Sequence, residues 1–259
     1  MSVIAYARRT WSEFISALQF LTRVPVPAKP YAADSLARSV KFFPLVGAIV
    51  GSAAALLHLL IAPHLPRAVA ALLVLLFLVL VTGCLTEDGL ADAADGFGGG
   101  RDREQILLIL RDSRIGSYGA AALALSLFGR VLLISSLPLT TVAPYLISAQ
   151  VLCRWTTLPL SYFLPPARGG SADGCNGQGA RIAGLTSIGT LIGGTLFAFA
   201  LTAVLLGIHT VAPIVCVVAL TLLTGLYYKQ RIGGITGDCF GATIQLAEIG
   251  VYLCGAWIR

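Results

Sequence analysis

Seven long runs of apolar residues alternate with polar segments along the chain. Each run is close to the ~20 residues that a helix needs to cross the hydrocarbon core of a bilayer. The apolar positions do not alternate as they would in a β-barrel strand, so the pattern predicts an all-α fold, a polytopic transmembrane helical bundle. The predicted spans cover residues 41–62, 67–86, 117–138, 142–163, 187–207, 211–228 and 238–257.

The first predicted span contains Gly47 and Gly51, which share one helix face. Small residues at this spacing let a neighbouring helix approach closely. We therefore expect the first span to pack tightly against another helix at this point.

The residues before the first span form a different pattern. Apolar side chains follow one helical stripe, and polar side chains lie off it. A signal peptide would need an unbroken apolar run and a small-residue cleavage site; neither is found, so we predict an N-terminal interfacial amphipathic helix. The stripe comprises Trp11, Phe14, Ile15, Leu18 and Leu21, and the polar residues off it are Glu13, Ser16 and Gln19.

Composition extends the membrane prediction to the whole chain. Of the 259 residues, 57% are hydrophobic and 12% are charged, and the mean hydropathy is +0.86. Soluble domains average about 25% charged residues, so we predict one integral membrane domain over residues 1–259. The six cysteines and three histidines are scattered, which argues against a zinc site, a disulfide framework and a Ser-His-Asp hydrolase.

The basic residues are distributed unequally between the two sides of the predicted membrane. Fourteen lie on the side of the N-terminus, and two, Arg67 and Arg259, lie on the other side. Because Lys and Arg are retained on the cytoplasmic side, we predict a cytoplasmic N-terminus in the cell (inner) membrane. The loops 87–116, 164–186 and 229–238 would then be cytoplasmic, and we expect the functional residues there.

The densest chemical signal is the acidic segment TEDGLADAADG at 86–96. Its three aspartates share one helical stripe, which its glutamate borders. If the segment prolonged the second membrane helix, these like charges would lie at its negative end, and a divalent cation would relieve both problems. Oxygen ligands favour Mg²⁺ or Mn²⁺; the alternative is a solvated acidic helix end. The four carboxylates are Glu87, Asp88, Asp92 and Asp95.

Arginines in two cytoplasmic loops are candidates for binding phosphate. Arg111 and Arg114 precede the third span, where backbone amides and guanidinium groups suit phosphate oxygens. Arg168 begins a glycine-rich loop that would cover a nucleotide. The alternatives are an ordinary basic flank and a flexible linker.

Four more charged residues lie at or inside predicted spans. Asp238 is at the cytoplasmic entry of the last span, and Glu248 lies about 15 Å further along it at the rise of a helix. Arg130 and Arg154 are inside other spans. Intramembrane charges are functional candidates because they are costly; structural ion pairing is the alternative.

Five segments, in this order, resemble the adenosylcobinamide-GDP ribazoletransferase family, also called cobalamin 5′-phosphate synthases. They are FLTRVPVP at 20–27, FPLVG at 43–47, EDGLADAADG at 87–96, DSRIG at 112–116 and GGITGD at 233–238. The resemblance extends over nearly the whole chain. It implies the last assembly step of cobalamin, in which the GDP-activated corrin ring is joined to α-ribazole or its 5′-phosphate, GMP is released and Mg²⁺ is required.

Such a phosphoryl transfer needs charge neutralisation and alignment more than covalent chemistry. One or two Mg²⁺ ions would clamp the pyrophosphate, and one aspartate would orient the attacking hydroxyl or take its proton. The expected metal ligands are Glu87, Asp88, Asp92 and Asp95. The expected phosphate contacts are Arg111, Arg114 and Arg168, and the catalytic residue is either Asp112 or Asp238.

Two other functional classes fit parts of the pattern. Residues 92–96 match the first half of the CDP-alcohol phosphotransferase signature, but the second half is absent. A transporter would line a pathway with Arg130, Arg154 and Glu248, but it leaves the cytoplasmic carboxylates without a role. The resemblance implies adenosylcobinamide-GDP, α-ribazole or its phosphate, and the lipid bilayer as partners. It implies no nucleic acid, and a homo-oligomer is compatible with it.

Overall fold

A computed structural model describes residues 3–26, 33–168, 182 and 186–257. In this part of the chain the residues outside the helices form turns and one isolated bridge, between Pro166 and Ile235, and the all-α prediction is confirmed. Short 3₁₀ turns at Val40–Phe42 and Gly207–Thr210 precede α3 and α11. The helices are α1 (Val3–Leu21), α2 (Ala33–Ser39), α3 (Phe43–Ile61), α4 (Arg67–Thr82), α5 (Leu85–Gly99), α6 (Arg103–Ile109), α7 (Ser117–Ser136), α8 (Val142–Trp155), α9 (Thr157–Phe163), α10 (Ile188–Leu206), α11 (Val211–Ile232) and α12 (Gly237–Trp257).

All seven apolar runs form helices, but fewer segments are long and apolar enough to cross a bilayer on their own. Four meet both requirements, and the pair α4 and α5, bent by 88° at their junction, is a fifth candidate. The four are Leu36–Ile61, Ser117–Ser136, Ile188–Ile232 and Gly237–Trp257. Several apolar helices thus support a multi-pass membrane protein, while the number of seven spans stays a prediction.

The N-terminal helix α1 forms, and part of its apolar stripe packs on the bundle, with Leu21 in the core and Phe14 and Leu18 against it. Trp11 is 64% exposed, whereas Glu13 is 3% exposed and Ser16 is 7% exposed. Glu13 can be buried because basic side chains surround its carboxylate. Glu13 and Ser16 therefore face the bundle together with part of the apolar stripe, and the position of α1 at a membrane interface stays a prediction.

Gly47 and Gly51 face α8, which confirms the predicted close approach of a neighbouring helix. A Cβ atom on Gly47 would collide with the carbonyl oxygen of Gln150, and one on Gly51 would lie 2.8 Å from the Cα of Ile147. The absence of side chains lets the two backbones touch and closes the centre of the bundle. The side chains buried around this contact include Val46, Val50, Leu146 and Ala149.

The acidic segment does not prolong the second membrane helix, which corrects the extension of that span to residue 86. α4 ends at Thr82 because the next two residues adopt left-handed backbone conformations, with φ of 65° at Gly83 and 59° at Cys84. The chain then turns by 88° into α5. Glu87 and Asp88 consequently lie in the first turn of a new helix, where the helix dipole favours negative charge.

One later apolar run contains a break, and a turn separates the next two runs. The run at 142–163 forms α8 and α9, which meet at Thr156. Between α10 and α11 the backbone of Gly207 has a φ of 54°, and a 3₁₀ turn interrupts the helix. Most of the predicted glycine-rich loop, from residue 169 to 185 except residue 182, lies outside the described residues.

Candidate functional site

Helices α5 and α12 cross so closely that their backbones are in contact. A Cβ atom on Gly89 would lie 3.0 Å from the Cα of Gly241 and 3.1 Å from the carbonyl oxygen of Asp238. The crossing therefore brings Asp88, which precedes Gly89, next to Asp238 in the first turn of α12. Sequence reasoning missed this crossing, although the spacing of Gly237 and Gly241 is typical of close helix packing.

Asp88 and Asp238 line a cavity of about 250 Å³ at the crossing. Arg168 is the third charged residue of its wall. Most of the remaining wall is apolar, and an apolar chamber with a few convergent charged groups is typical of a ligand-binding site. The apolar wall includes Phe20, Leu21, Phe43, Leu110, Phe240 and Ile244.

Arg168 is held at the cavity with part of its donor capacity unused. The loop before it is fixed by Arg103, whose Nη2 donates to the carbonyl oxygen of Ala167 at 2.6 Å. Arg168 Nη2 donates to the carbonyl oxygen of Leu107 at 3.3 Å, but its buried Nε has no partner within the described residues. The positive charge of Arg168 is close enough to attract the carboxylate of Asp238. An anionic ligand in the cavity would find this guanidinium within reach.

Asp92 lies one helical turn beyond Asp88 on α5 and is half-buried. Burial raises the pKa of its carboxyl, and the charges of Asp88, Asp238 and Asp95 raise it further, to about 6. Like charges this close disfavour ionisation of one another. The three aspartates at the crossing are therefore a local excess of negative charge that a bound cation would stabilise.

Asp95 has a different set of contacts from the other aspartates of α5. Its carboxylate accepts hydrogen bonds from the backbone N–H groups of Gly116, at 2.7 Å, and Gly119, at 2.8 Å. These amides lie at the start of α7, where the N-cap residue Gly116 has no capping side chain. Asp95, a residue of α5, accepts their hydrogen bonds instead. A Cβ atom at either glycine would collide with the Asp95 carboxylate. The structure thus places Asp95 at the junction of α5 and α7.

Glu87 points into the bundle, where 5% of the residue is exposed. Its Oε1 accepts hydrogen bonds from Arg130 Nη2 at 2.8 Å and from Gln245 Nε2 at 3.0 Å. Arg130 Nη1 also lies 3.4 Å from Glu248 Oε2. Structural ion pairing, the alternative for the charges inside the spans, is therefore what the structure shows for Arg130 and Glu248. Glu87 is also an ion-pair partner of Arg130, and the sequence did not indicate this pairing.

The last intramembrane charge, Arg154, pairs with an amide. Its Nη1 donates to the side-chain and backbone oxygens of Gln150. The space enclosed by Arg154, Glu87, Arg130 and Glu248 is about 10 Å³, which holds at most about one water molecule. We call these four residues and Gln150 the buried charge cluster.

The remaining predicted residues lie on the exposed loop between α6 and α7. Asp112 and Arg114 form an ion pair of 2.6 Å, in which the Arg114 side chain is 87% exposed. The hydrogen bonds from Arg114 hold the pKa of Asp112 below its ordinary value. Arg111 is exposed on the same loop. The structure does not bring these three residues into the cavity wall.

The aspartates at the crossing suit a hard divalent cation by type. In the part of the chain that the structure describes, no group of three Asp, Glu, His or Cys side chains is close enough to hold a metal by itself. Mg²⁺ commonly takes one or two carboxylates and completes its shell with water and substrate phosphates. Asp88 and Asp92, with Asp238 opposite, fit that mode of binding better than a closed protein cage.

Comparisons with known proteins agree over almost the whole chain. A family model described as cobalamin-5-phosphate synthase matches residues 13–256. The adenosylcobinamide-GDP ribazoletransferase of Azorhizobium caulinodans is 45% identical over 255 residues, which cover 94% of each chain. The protein of that name from Rhizobium meliloti is 39% identical, covering 96% of this chain and 97% of its own. The one from Vibrio cholerae is 33% identical, covering 93% and 91%.

No solved structure shows significant similarity to the chain. The family model nevertheless covers far more than half of the sequence, from the middle of α1 almost to the end of α12. The similar proteins align over nearly their full length. The chain belongs to the cobalamin-5-phosphate synthase family.

Proposed function

We propose that the protein is an adenosylcobinamide-GDP ribazoletransferase, which joins the adenosylcobinamide phosphoryl group to α-ribazole or α-ribazole 5′-phosphate and releases GMP. Family membership and the names of the relatives support this reaction. The observation in the structure that carries it is the cavity at the crossing of α5 and α12, where Asp88, Asp238 and Arg168 converge. A phosphoanhydride substrate needs both groups that neutralise its charge and groups that position the acceptor.

In this proposal Arg168 binds the pyrophosphate of the substrate, because its buried Nε lacks a partner in the described structure and a guanidinium pairs well with phosphate oxygens. Arg111 and Arg114 contact outer phosphate oxygens from the adjacent loop. We assign the acceptor hydroxyl to Asp238, because it lines the cavity whereas Asp112 is engaged by Arg114. The hydroxyl oxygen forms the new P–O bond, its proton passes to Asp238, and the P–O bond to GMP breaks.

We further propose that Mg²⁺ is required and that Asp88 and Asp92 are its main protein ligands. Bound Mg²⁺ would withdraw charge from the phosphate oxygens and so make the phosphorus easier to attack. Glu87 and Asp95, which the sequence also suggested as ligands, are engaged by Arg130 and by the start of α7. They act in the proposal by fixing the two ends of α5, so that Asp88 and Asp92 face the site.

The proposed topology has seven spans and a cytoplasmic N-terminus in the inner membrane. The segment Ile188–Ile232 has 45 residues and as a straight helix would be about 67 Å long, more than twice the ~30 Å hydrocarbon core. It is interrupted at Gly207–Thr210, so we count it as two spans. The run formed by α8 and α9 and the segment α4 complete the seven, and α1, on which Trp11 is exposed, lies at the interface.

The other functional classes find less support. A transport pathway along Arg130, Arg154 and Glu248 would need open space, but the buried charge cluster encloses about 10 Å³. The second half of the CDP-alcohol phosphotransferase signature is absent from the sequence. Neither class accounts for the family match over residues 13–256.

The direct test uses the purified protein in detergent with adenosylcobinamide-GDP and α-ribazole. We expect equal amounts of GMP and the cobalamin product with Mg²⁺, and neither product after chelation. Glu104→Gln removes an exposed carboxylate of α6 and is the matched control, which should keep full activity. GMP released without consumption of α-ribazole would indicate a hydrolase, and no GMP under any metal condition would refute the proposal.

The topology is tested separately with single cysteines in a cysteine-free variant. A cysteine at position 104, on the proposed cytoplasmic side, should react with a membrane-impermeant reagent only after the cells are opened. A cysteine at position 64, between α3 and α4, should react in intact spheroplasts. The reverse result would overturn the orientation and, with it, access of a cytoplasmic nucleotide substrate to the cavity.

A further inference from the structure

A second charged site lies between α1, α2 and the start of α10, apart from the cavity at the crossing. Its centre is Glu13, whose side chain is 4% exposed. Three cations reach this one carboxylate: Arg9 Nε at 3.0 Å, Arg38 Nε at 3.1 Å and Lys41 Nζ at 2.6 Å. No residue of this site lines the cavity at the crossing.

Among the side chains that the structure describes, three cations of this site face one carboxylate, and the charges do not balance. Burial by itself would raise the pKa of Glu13, but hydrogen bonds from Lys41 and Arg9 outweigh it and the pKa lies below its ordinary value. Glu13 is therefore ionised and offsets one of the three cations. Each guanidinium has five N–H donors, and the bond to Glu13 uses the Nε of Arg9 and of Arg38. With respect to the described side chains, positive charge and donor groups thus remain for an additional anion.

There is room for that anion beside the three cations. They line a cavity of about 390 Å³ together with Glu13, Thr10, Ala37, Ser187 and Thr190. Ser187 caps the N-terminus of α10 by accepting a hydrogen bond from the N–H of Thr190. The dipole of this 19-residue helix adds to the positive potential in the cavity.

Exposed apolar side chains flank the basic cavity on two sides. Ile188 and Ile192, next to Ser187 and Thr190 on α10, are 54% and 53% exposed. Trp11, next to Thr10 on α1, is 64% exposed. A small soluble anion would leave these side chains in contact with water. An amphiphile with an anionic head and acyl chains would satisfy the cations and cover the apolar surface together.

We propose that this basic cavity binds the phosphodiester headgroup of an anionic phospholipid, with its acyl chains lying against α10 and α1. Basic pockets between helices on the cytoplasmic side of a membrane recognise such headgroups. The inference relies on the proposed orientation of the bundle but not on the transferase reaction. A bound lipid would tie α1 and α2 to the start of α10.

The test measures the melting temperature of the full-length protein in neutral detergent during titration with defined lipids. Dioleoyl phosphatidylglycerol should raise the melting temperature of the wild-type protein by about 5 °C at saturation, because a ligand of the folded state stabilises it. Dioleoyl phosphatidylcholine, which has no net charge, should raise it far less. Arg38→Gln should retain less than half of the shift seen with phosphatidylglycerol.

Arg8→Gln is the matched control, because Arg8 is an exposed cation of α1, next to Arg9, that does not line the cavity; it should keep the full shift. If Arg38→Gln does not fold, Arg9→Gln, at the more exposed partner of Glu13, replaces it. A shift in Arg38→Gln, or in Arg9→Gln where it is used instead, that equals the wild-type shift would overturn the proposal. So would equal shifts with both lipids, or a full shift with inorganic phosphate, which would indicate a site for soluble anions. If the lipid proposal is overturned in this way, the proposed metal-dependent release of GMP is still open to its own test.

Discussion

Glu87 and Asp88 are consecutive residues of α5 that enter opposite environments. Glu87 is buried and receives hydrogen bonds from Arg130 and Gln245. Asp88 is exposed towards a cavity of about 250 Å³. Adjacent side chains of a helix point about 100° apart, which follows from 3.6 residues per turn. One helix therefore contributes to the buried charge cluster on one face and to the candidate site on another.

The two regions differ in how their charges are compensated. The buried charge cluster contains two arginines and two glutamates, and almost no empty space remains between them. At the crossing, three aspartates are near one another and Arg168 is the cation of the cavity wall. Paired charges in a closed space stabilise a structure without needing a ligand. Like charges beside an open cavity would be stabilised by a bound cation, and for this reason we propose the crossing as the functional region.

The largest expected effect comes from breaking the pairs of the buried charge cluster. Arg130→Met leaves Glu87 and Glu248 as buried carboxylates without their cation, which typically costs about 3–5 kcal/mol. We expect a correspondingly lower free energy of unfolding in detergent. Arg101→Met, at an exposed cation, should change it little. If Arg130→Met is as stable as the wild type, the cluster does not hold α5, α7 and α12 together.

A similarly large effect on activity, but not on stability, is expected at the crossing. Asn has nearly the size of Asp but not its charge, so Asp92→Asn should lower turnover at least about 100-fold, the scale of a lost metal contact. Without Mg²⁺ the Asp92→Asn variant should be at least as stable as the wild type, because the loss of one carboxylate reduces like-charge repulsion. The wild type should gain thermal stability from Mg²⁺, and the variant should gain less. Near-normal turnover would show that the acidic stripe is only a solvated helix end.

A smaller effect tests the geometry that joins the two regions. Gly89→Ala places a methyl group 3.0 Å from the Gly241 Cα, and separating the two backbones should cost about 1–3 kcal/mol. Turnover should fall as well, because Asp88 and Asp238 move apart. Gly129→Ala is the matched control, since a Cβ there meets no atom within 4 Å, and alanine in a helix is favourable. Equal behaviour of the two variants would show that the close crossing is not needed.

The smallest effects are expected from conservative changes of the arginines. Arg168→Lys keeps the charge but loses the planar fork of donors, and turnover should fall about tenfold. Arg114→Lys should reduce it less, because Arg114 lies on an exposed loop and is paired with Asp112. Steady-state measurements at several substrate concentrations would separate weaker binding from slower transfer. A larger loss of turnover in Arg114→Lys than in Arg168→Lys would indicate that the substrate phosphate binds at the loop rather than in the cavity.

The sequence by itself determined the features that depend on local pattern. Runs of apolar residues predicted the helices, and the spacing of Gly47 and Gly51 predicted a close approach of another helix to α3, which the structure shows to be α8. Five short segments in a characteristic order were enough to suggest the family that the comparisons show. Helical periodicity and each short motif lie within a few turns of the chain, and the order of the motifs is read along the sequence, so none of these features requires knowledge of the packing.

Only the tertiary structure decided which charges belong together. Left-handed backbone conformations at Gly83 and Cys84 separate α5 from α4, and an apolar pattern does not encode such a break. The partners of Glu87 lie on α7 and α12, and Asp88 meets Asp238 through the crossing of two helices. A carboxylate becomes structural or functional according to the neighbours that packing brings to it, because charge interactions depend on distance in space rather than on separation along the chain.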